Sequence, residues 1–212
     1  DQINYVEYVS QKAIGKSSRS NPVTYIKAYD EIRKLFSSRR ESKIRGYKPK
    51  HFSFNIEGGR CESCKGEGVK TIEMQFMPDV RLTCESCNGT RFKEEILEIN
   101  INGKNISDIL NLTVDDAIIF FNELEEIKIS EKLSILQKVG LGYIQLGQSS
   151  STLSGGEAQR VKLAYFLSVK TTPKKGLFLF DEPTTGLHFD DINKLLKSMN
   201  QLIDKGNSVV VI

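Results

Sequence analysis

The chain has 212 residues, of which 39% are hydrophobic and 27% are charged. That balance is typical of a globular protein and argues against extended disorder, a collagen-like repeat or a coiled coil. The longest apolar runs, LFLF at 177–180 and VVVI at 209–212, are too short to cross a bilayer, and no apolar stretch with a basic flank opens the sequence. We therefore expect a soluble, cytoplasmic protein of one or two domains.

The positive charge is concentrated in one segment. Residues 15–50 carry 11 Lys and Arg against 3 Asp and Glu, whereas the rest of the chain carries 19 against 24. The net charge of +3 therefore divides into a strongly basic segment and a mildly acidic remainder.

The first half of the chain contains several short predicted elements. Weak alternation predicts a strand over Asn4 to Val9, and apolar residues at helical spacing predict a helix from Thr24 to Phe36. The polar, basic stretch 37–50 is expected to be a mobile connector. Alternation of Phe52, Phe54 and Ile56 predicts a strand.

The middle of the chain combines a predicted hairpin with predicted helices. Residues 97–101 alternate as in a strand and run into Asn102-Gly103, a strong hairpin-turn signal. Thr113 is expected to cap a helix that continues to Leu124, and Ser130 to cap another that ends at Gly140.

The last 65 residues predict a parallel sheet. Leu177 to Phe180 forms a short apolar run typical of a strand buried on both faces. A helical apolar stripe follows from Ile192 to Ile203 and is ended by Gly206, before a second β-branched run at 208–212. Strand, helix and strand predict a right-handed βαβ unit. Because the sequence stops inside the second strand, we expect a longer parent protein.

Four cysteines have the spacing of a zinc site. Cys61 and Cys64 are separated by two residues, as are Cys84 and Cys87, and nineteen residues lie between the pairs. Each pair stands in the phrase Cys-Glu-Ser-Cys-x-Gly, in which the glycine permits a reversed backbone. Two such turns predict a closed structural zinc site with a hairpin between them, rather than a redox pair.

The octapeptide from Leu153 to Arg160, LSGGEAQR, predicts a phosphate-binding helix start. Ser154 and Glu157 have the spacing of a capping box, and Gly155 and Gly156 leave the backbone N–H groups accessible to a phosphate. The octapeptide resembles the signature of ATP-binding-cassette (ABC) ATPases, with Glu in the usual Gln position.

The apolar strand that ends at Asp181-Glu182 predicts a second part of a nucleotide site. Ligands of parallel sheets bind at the carboxyl ends of strands. One carboxylate can hold Mg²⁺, and the other can orient or deprotonate a water. With the signature nearby, this strand resembles a Walker B motif, and residues 183–188 then take the place of the D-loop.

The stretch Ser10 to Ser17 resembles a phosphate loop, but Ser10 replaces the first glycine of G-x4-G-K-[ST]. Pro22 also argues against the long helix that should follow such a loop. We therefore interpret Gln11 as the glutamine of a Q-loop, and we expect the phosphate loop to lie upstream of this sequence.

Together these segments resemble the UvrA family, the damage-sensing ATPase subunits of the bacterial excinuclease. The resemblance rests on four stretches: 11–25, 58–62, 153–164 and 181–188. It extends over essentially the whole chain and corresponds to the second cassette of the family without its start and end. A four-cysteine module between Q-loop and signature is not a feature of transport cassettes.

The resemblance implies an α/β ABC-ATPase cassette with a parallel sheet and an inserted zinc-binding module. It divides the chain into a partial ATP-binding core with the Q-loop (1–22), an insertion domain (23–150) that includes the zinc module (58–92), and the signature helix, Walker B and D-loop (151–212).

The resemblance also implies cofactors and residue roles. ATP, Mg²⁺ and Zn²⁺ would be bound, with Asp181 serving Mg²⁺ and Glu182 acting as the catalytic carboxylate. Gln11 would reach toward the metal and water, whereas Ser154, Gly155 and Gly156 would face the γ-phosphate held by another cassette. The family's zinc would be held by the four cysteines: Cys61, Cys64, Cys84 and Cys87.

The partners implied by the resemblance are double-stranded DNA, a second copy of the parent and a helicase-like subunit of the excinuclease. The setting would be nucleotide excision repair in the cytoplasm, within the SOS response. The phosphate-loop lysine and the family's histidine switch are missing from these 212 residues, so we expect ATP hydrolysis by the parent and not by this chain alone.

The basic segment is the candidate DNA contact. Its cations stand in a polar stretch and would make sequence-tolerant contacts to phosphates, with distortion sensed through DNA shape. The residues concerned are Arg39, Arg40, Lys43, Arg45, Lys48 and Lys50. The alternative is a solvated surface with no ligand.

Two other classes of protein fit part of the pattern. A chaperone of the J-domain type has the repeat C-x-x-C-x-G-x-G, which residues 61–68 match, but that family uses four repeats and a His-Pro-Asp helix. An ABC transporter cassette would share the nucleotide motifs, but the zinc insertion and the basic segment disfavour it. DNA binding would separate these alternatives.

Overall fold

A computed structural model describes residues 3–15, 19–72, 74, 76, 79–169, 175–185, 187 and 189–212. The chain forms two compact units. The first contains residues 1–28 and 112–212, and the second contains residues 29–111. The three-part division expected from the resemblance stays a prediction.

Helices predominate among the described residues. The strands are β1 (Tyr5–Val9), β2 (Val69–Ile72), β3 (Val80–Thr83), β4 (Gly176–Phe180) and β5 (Ser208–Val211). The α-helices are α1 (Pro22–Tyr25), α2 (Tyr29–Ser38), α3 (Arg40–Ile44), α4 (Glu94–Leu97), α5 (Ile106–Asn111), α6 (Val114–Glu123), α7 (Ile127–Lys138), α8 (Gly155–Ser168) and α9 (Phe189–Asp204). Short 3-10 helices lie at Pro49–Phe52 and Ser150–Thr152. In the part of the chain described, no helix has both the length and the apolar character to span a membrane.

The first unit is built on a three-stranded parallel sheet in the order β1-β4-β5. The pairing of β1 with β4 runs from Tyr5 opposite Gly176 to Val9 opposite Phe180. Phe178 and Phe180 are fully buried, whereas Leu177 and Leu179 on the other face are only partly buried, so the predicted burial of both faces is wrong for that face. The predicted α/β class and the predicted β4–α9–β5 unit are confirmed.

Helix α9 buries part of the apolar stripe that its sequence predicts, whereas Leu196 and Ile203 of that stripe are exposed. Leu195, Met199 and Leu202 are buried at the i, i+4, i+7 positions of this helix. The chain leaves the helix at Gly206, whose φ of 86° lies in the left-handed region that favours glycine. The predicted end of this helix is therefore confirmed.

Helices α6 and α7 form a pair in the same unit. Thr113 caps α6 as predicted, since its hydroxyl accepts the N–H of Asp116 at 3.1 Å. The predicted cap at Ser130 is wrong, because α7 already begins at Ile127 and Ser130 is buried inside it. The predicted end at Gly140 is confirmed by its φ of 77°.

The second unit has an aromatic core. The Tyr29 ring lies 5.3 Å from that of Phe54, and its hydroxyl donates to the Phe52 carbonyl at 2.7 Å. Phe36 packs on Phe52 at 5.3 Å, and Phe92 meets the edge of Phe54 at 6.2 Å. All five rings are almost completely buried.

The single helix predicted from Thr24 to Phe36 is wrong, because the chain forms two helices there. Helix α1 ends at Tyr25 and α2 begins at Tyr29. Between them Lys27 has a φ of 58°, which no residue of a right-handed helix can adopt. Both helices bury their apolar residues, so the apolar spacing continues across the break and conceals it.

The predicted mobile connector at 37–50 is also wrong. It contains α3 and enters the 3-10 helix at Pro49, and the hydroxyl of buried Ser42 donates to the Phe36 carbonyl at 2.7 Å. This segment is an ordered part of the second unit.

Two predicted strands do not form. Phe52 and Phe54 are buried from a 3-10 helix and the turn after it, not from a strand. Residues 97–101 include the end of α4 and a single bridge between Ile101 and Lys104. The predicted turn at Asn102-Gly103 is confirmed, with φ of 46° and 76°.

Candidate metal and nucleotide sites

The four cysteines converge in the second unit. Their sulfur atoms all lie within 4.8 Å of one another. The Cys61 and Cys84 sulfurs are 4.0 Å apart, and those of Cys64 and Cys87 are 3.7 Å apart. A tetrahedron with Zn–S bonds of about 2.3 Å has edges of about 3.8 Å. Because all four thiols are buried and free of disulfides, they fit a closed zinc site.

The repeated cysteine phrase folds twice into the same turn. Lys65 and Gly66 have φ of 51° and 84°, and Asn88 and Gly89 have φ of 47° and 81°. Two consecutive left-handed residues turn the backbone back beside the sulfur atoms. The glycine in each phrase is therefore required by the turn, as the sequence predicts.

Hydrogen bonds prepare Cys84 to bind a metal. Burial raises the pKa of its thiol, but the N–H groups of Cys87 and Ser86 and the neighbouring Cys87 and Cys64 thiols outweigh burial and lower this pKa to about 6. Burial raises the pKa of the Cys64 and Cys87 thiols, so of these three cysteines only Cys84 is shifted toward the thiolate, the form that ligates zinc.

The predicted hairpin between the cysteine pairs is confirmed. Strands β2 and β3 are antiparallel, with Val69 opposite Thr83 and Ile72 opposite Val80. The N–H of Cys84 donates to the Gly68 carbonyl at 2.9 Å, which joins the hairpin base to the metal ligands.

The start of helix α8 forms the predicted capping box. Ser154 Oγ accepts the Glu157 N–H at 3.3 Å, and Glu157 Oε2 accepts the Ser154 N–H at 2.8 Å. The other carboxylate oxygen accepts the Tyr143 hydroxyl at 2.7 Å. The N–H groups of Gly155 and Gly156 lie in the first helical turn, where no intrahelical acceptor exists. This helix start can therefore bind a phosphate.

The carboxyl edge of the sheet gathers the other predicted nucleotide-site residues. Gln11 follows β1, and Asp181 and Glu182 follow β4. The Tyr8 hydroxyl donates to Asp181 Oδ2 at 2.9 Å, which raises the pKa of Tyr8. Glu182 has a φ of 41°, and its N–H donates to the Ile212 carbonyl at 2.9 Å.

The signature helix contacts this sheet edge directly. A Cβ atom at Gly155 would lie 2.7 Å from Gln11 Oε1 and 3.0 Å from Gln11 Cβ, so the missing side chain at Gly155 lets the helix start and Gln11 lie close together. Gln11 Nε2 in turn donates to the Asp181 carbonyl at 3.4 Å. The structure thus brings together Gln11, the signature and Asp181.

Two further side chains of α8 hold the ends of the strands. Gln159, which is 2% exposed, donates from Nε2 to the carbonyls of Val9 at 2.7 Å and Asp181 at 3.2 Å. Lys162 Nζ donates to the Ser10 carbonyl at 2.8 Å, and burial lowers the pKa of this lysine.

Parts of two predicted loops lie outside the described residues. Lys16 and Ser17 of the stretch that resembles a phosphate loop are among them, as are Gly186 and His188 of the predicted D-loop. In the described part of that D-loop, the Thr185 hydroxyl donates to Glu182 Oε2 at 3.3 Å.

Residues 39–50, the part of the basic segment that carries the candidate DNA contacts, form a largely exposed part of the second unit. Arg39 precedes α3, which contains Arg40 and Lys43. Arg45 is paired with Glu98, so part of its charge is neutralised. Of the six candidate cations, Arg40, Lys43, Arg45, Lys48 and Lys50 are exposed, whereas Arg39 is half-buried.

Comparison with known proteins gives a consistent result, although no family model matches the chain. UvrABC system protein A of Clostridium perfringens is 53% identical, and that of Aquifex aeolicus is 56% identical, each over all 212 residues. The crystal structure of UvrA2 from Deinococcus radiodurans matches the whole chain with a TM-score of 0.90 and 46% identity. The chain belongs to the UvrA family.

The chain spans about a fifth of the length of these UvrA relatives, 22% and 23% for the two proteins from C. perfringens and A. aeolicus. It covers 26% of the D. radiodurans UvrA2 chain. The predicted resemblance is thereby confirmed over the full sequence, and neither a J-domain chaperone nor a transporter cassette is favoured.

Sequence reasoning missed Gln159 and Lys162 of this UvrA-family chain. A signal was available, because Gln159 lies four residues after Gly155 and hence on the same helical face. A polar amide beside Ala158 and Val161, both buried, indicates a specific partner. The identity of that partner required the fold, since Val9 is 150 positions away.

Proposed function

We propose that this chain is part of the damage-recognition ATPase subunit of nucleotide excision repair, in which ATP binding and hydrolysis control DNA binding. One combination carries the proposal. A signature helix start, a strand-end carboxylate pair and a four-thiolate cluster occur in a single chain that is 52–56% identical to UvrABC system protein A.

The sheet edge would supply the hydrolytic residues. Asp181 would hold Mg²⁺, and Gln11, through its contact with the Asp181 carbonyl, would orient the water near the metal. Glu182 would orient or deprotonate the attacking water. Bound Mg²⁺ would neutralise charge on the phosphates.

The signature would bind the γ-phosphate of an ATP held by another cassette. The Gly155 and Gly156 N–H groups have the geometry of a helix anion site. Because Ser154 Oγ already accepts the Glu157 N–H, its own O–H remains available to donate to a phosphate oxygen. Three donors would thus converge on one phosphate.

Zn²⁺ would have a structural role. The four cysteines leave no open position for a substrate or water, so the metal would hold the two turns and the hairpin together. The energy of metal binding would then contribute directly to the folding of residues 58–92.

The remaining parts of the proposal concern partners. Double-stranded DNA would meet the basic segment through Arg39, Arg40, Lys43, Arg45, Lys48 and Lys50. The parent would act as a homodimer in the cytoplasm, as part of the SOS response, and would load a helicase-like subunit of the excinuclease. Family membership supports these partners, and the five exposed cations support the DNA contact.

The test is Glu182→Gln in the full-length protein. We expect ATP binding to remain and turnover to fall to background, because the amide cannot accept a proton from water. Glu123→Gln, which alters an exposed glutamate of α6, is the matched control and should keep full turnover. Turnover that survived Glu182→Gln would contradict the assignment of the catalytic carboxylate.

The 212-residue chain alone is expected neither to bind ATP tightly nor to hydrolyse it. It contains no complete G-x4-G-K-[ST] loop to hold the β- and γ-phosphates. Micromolar ATP binding by this chain would instead make Ser10 to Ser17 a working phosphate loop.

A further inference from the structure

Helix α8 carries two side chains that bind the backbone on both sides of Gln11. Gln159 Nε2 donates to the Val9 carbonyl at 2.7 Å, before Gln11 in the sequence. Lys162 Nζ donates to the Ser10 carbonyl at 2.8 Å and to the Lys12 carbonyl at 2.7 Å, on either side of it. The position of the Q-loop is therefore set by the signature helix.

The same helix also holds the strand end that carries the carboxylates. The second hydrogen bond of Gln159 Nε2 goes to the Asp181 carbonyl at 3.2 Å. One amide group thus bridges the ends of β1 and β4, from which Gln11 and the two acids emerge.

The Gln159 amide is costly to bury, which indicates that its two donated hydrogen bonds matter. The side chain is 2% exposed, and its Oε1 has no hydrogen-bond partner among the described residues. A buried acceptor left unpaired destabilises the fold, whereas an apolar side chain of similar size would avoid that loss. The two hydrogen bonds donated by Gln159 Nε2 therefore have a role that packing alone does not explain.

We propose that Gln159 and Lys162 are positioning residues, which fix Gln11 and Asp181 at a set distance from the phosphate-binding start of the signature helix. This inference rests on the proposed ATPase function. The start of α8 meets Gln11 at Gly155, where even one added Cβ would clash at 2.7 Å. Gln159 and Lys162 hold the backbone on either side of Gln11 directly, so a displacement of α8 is passed to that backbone.

A phosphate bound at the signature would consequently be sensed at the sheet edge of the same cassette. A shift of α8 toward the phosphate moves the carbonyls bound by Gln159 and Lys162, and with them Gln11 and Asp181. Loss of either side chain should impair the catalytic step and leave ATP binding unchanged, because neither residue itself contacts a phosphate-binding N–H group in this structure.

The experiment uses Gln159→Met and Lys162→Met in the full-length protein. Methionine matches the length of glutamine and is one atom shorter than lysine, and both substitutions remove the donors. We expect kcat to fall roughly tenfold or more, as for other losses of alignment in an active site, with the Kd for MgATP within about twofold of the wild type. Lys162→Arg keeps donors at the same place and should restore most of kcat.

Lys205→Met is the matched control. Lys205 donates to the Leu167 and Val169 carbonyls at 2.6 and 3.4 Å, at the opposite end of α8, and burial lowers its pKa as it does that of Lys162. This variant loses a comparable bond to the helix region but should keep kcat.

The inference is overturned if Lys162→Met keeps wild-type kcat, or if Lys205→Met lowers kcat equally. Lys162 is partly exposed, so its substitution should fold even if Gln159→Met does not. Glu182→Gln separates the two hypotheses. If Glu182→Gln is inactive and Lys162→Met is active, only the positioning role is contradicted. If Glu182→Gln is active, the proposed catalytic site itself is contradicted.

Discussion

Glu157 stabilises the signature helix and at the same time places a negative charge beside the proposed phosphate site. Its carboxylate accepts hydrogen bonds from the Ser154 N–H and the Tyr143 hydroxyl. A carboxylate in the first turn favours the helix, but the same charge repels an incoming phosphate. Binding to phosphate at this helix start is therefore weakened by the residue that caps it.

Substitution of Glu157 by Gln should separate these effects. The amide oxygen can still accept the Ser154 N–H, whereas the negative charge is gone. We expect the full-length protein to bind ATP severalfold more tightly, with the largest gain at low salt where charges are least screened. Titration of nucleotide binding at two salt concentrations measures this. Glu157→Ala is the control for the capping box, which it should weaken because the Ser154 N–H loses its acceptor. Equal affinities of Glu157→Gln and wild type would show that the charge does not reach the phosphate.

Gly66 and Gly103 allow backbone strain to be separated from steric clash. Both have positive φ, 84° and 76°. A Cβ at Gly66 would lie 1.9 Å from the Phe54 carbonyl oxygen, whereas a Cβ at Gly103 meets nothing within 4 Å. We expect Gly103→Ala to cost about 1–2 kcal/mol, the cost of the left-handed conformation, and Gly66→Ala to cost clearly more and to speed zinc release. Thermal unfolding and zinc transfer to a chelator measure both. If the two variants behave alike, the contact with Phe54 is unimportant.

At the scale of elements, α3 tests the proposed DNA surface. Lys43 is exposed in α3, whereas Arg45 is paired with Glu98 and is a less clean probe. Lys43→Glu in the full-length protein should weaken binding to intact and to damaged DNA alike. It should also reduce the slope of log K against log salt by about 0.9 for each lost phosphate contact. Lys128→Glu, at an exposed site of α7, is the charge-matched control. An unchanged slope for Lys43→Glu would make the segment a solvated surface.

Elements with a strong local signal were predictable from the sequence. Thr113 caps α6 and Gly206 ends α9 because the cap and the left-handed residue act within a few positions of the chain. Strand β4 was predictable for the same reason, since its apolar residues are consecutive in the sequence. These features depend on neighbouring residues, which a sequence displays directly.

Elements whose form depends on distant packing were not predictable. Phe52 and Phe54 alternate like a strand, yet they are buried because their rings pack on Phe36 and Tyr29. Helices α1 and α2 share one apolar periodicity although Lys27 separates them. In both places the hydrophobic pattern reports burial correctly and the backbone conformation incorrectly.

The candidate site was predictable to the extent that it consists of motifs. The spacing within the cysteine phrase and within the signature is visible in the sequence. The structure brings the four cysteines together in the second unit, and it forms the signature helix start in the first. Gln159 and Lys162 differ, because their partners are 150 and 152 positions away. Such contacts exist only after β1 and α8 have met in the fold.

At the scale of the whole molecule, metal loss should act mainly on the second unit. Cys84 is fully buried among the other thiols, so Cys84→Ala should abolish stoichiometric zinc binding and loosen residues 58–92. Ser86→Ala, in the same phrase, is the matched control and should keep its zinc. Elemental analysis gives the zinc content, and hydrogen exchange should show lost protection in β2 and β3 with protection of β1 and β4 retained. Equal loss throughout the sheet would mean that both units unfold together.

The order of the two units along the chain has a consequence for biosynthesis. Tyr8 and Asp181, which bond across the sheet edge, are 173 positions apart, and the contiguous unit 29–111 is translated between them. At bacterial elongation rates β1 waits roughly 10–30 s for β4 to be synthesised. We expect the nascent chain to complete its thiolate cluster during that interval, so that β1 and β4 later pair with a folded insert, and not a flexible loop, between them in the sequence, at a lower entropic cost. The zinc content of ribosome-bound chains stalled after residue 140 would test this order. A stalled chain without zinc would contradict it.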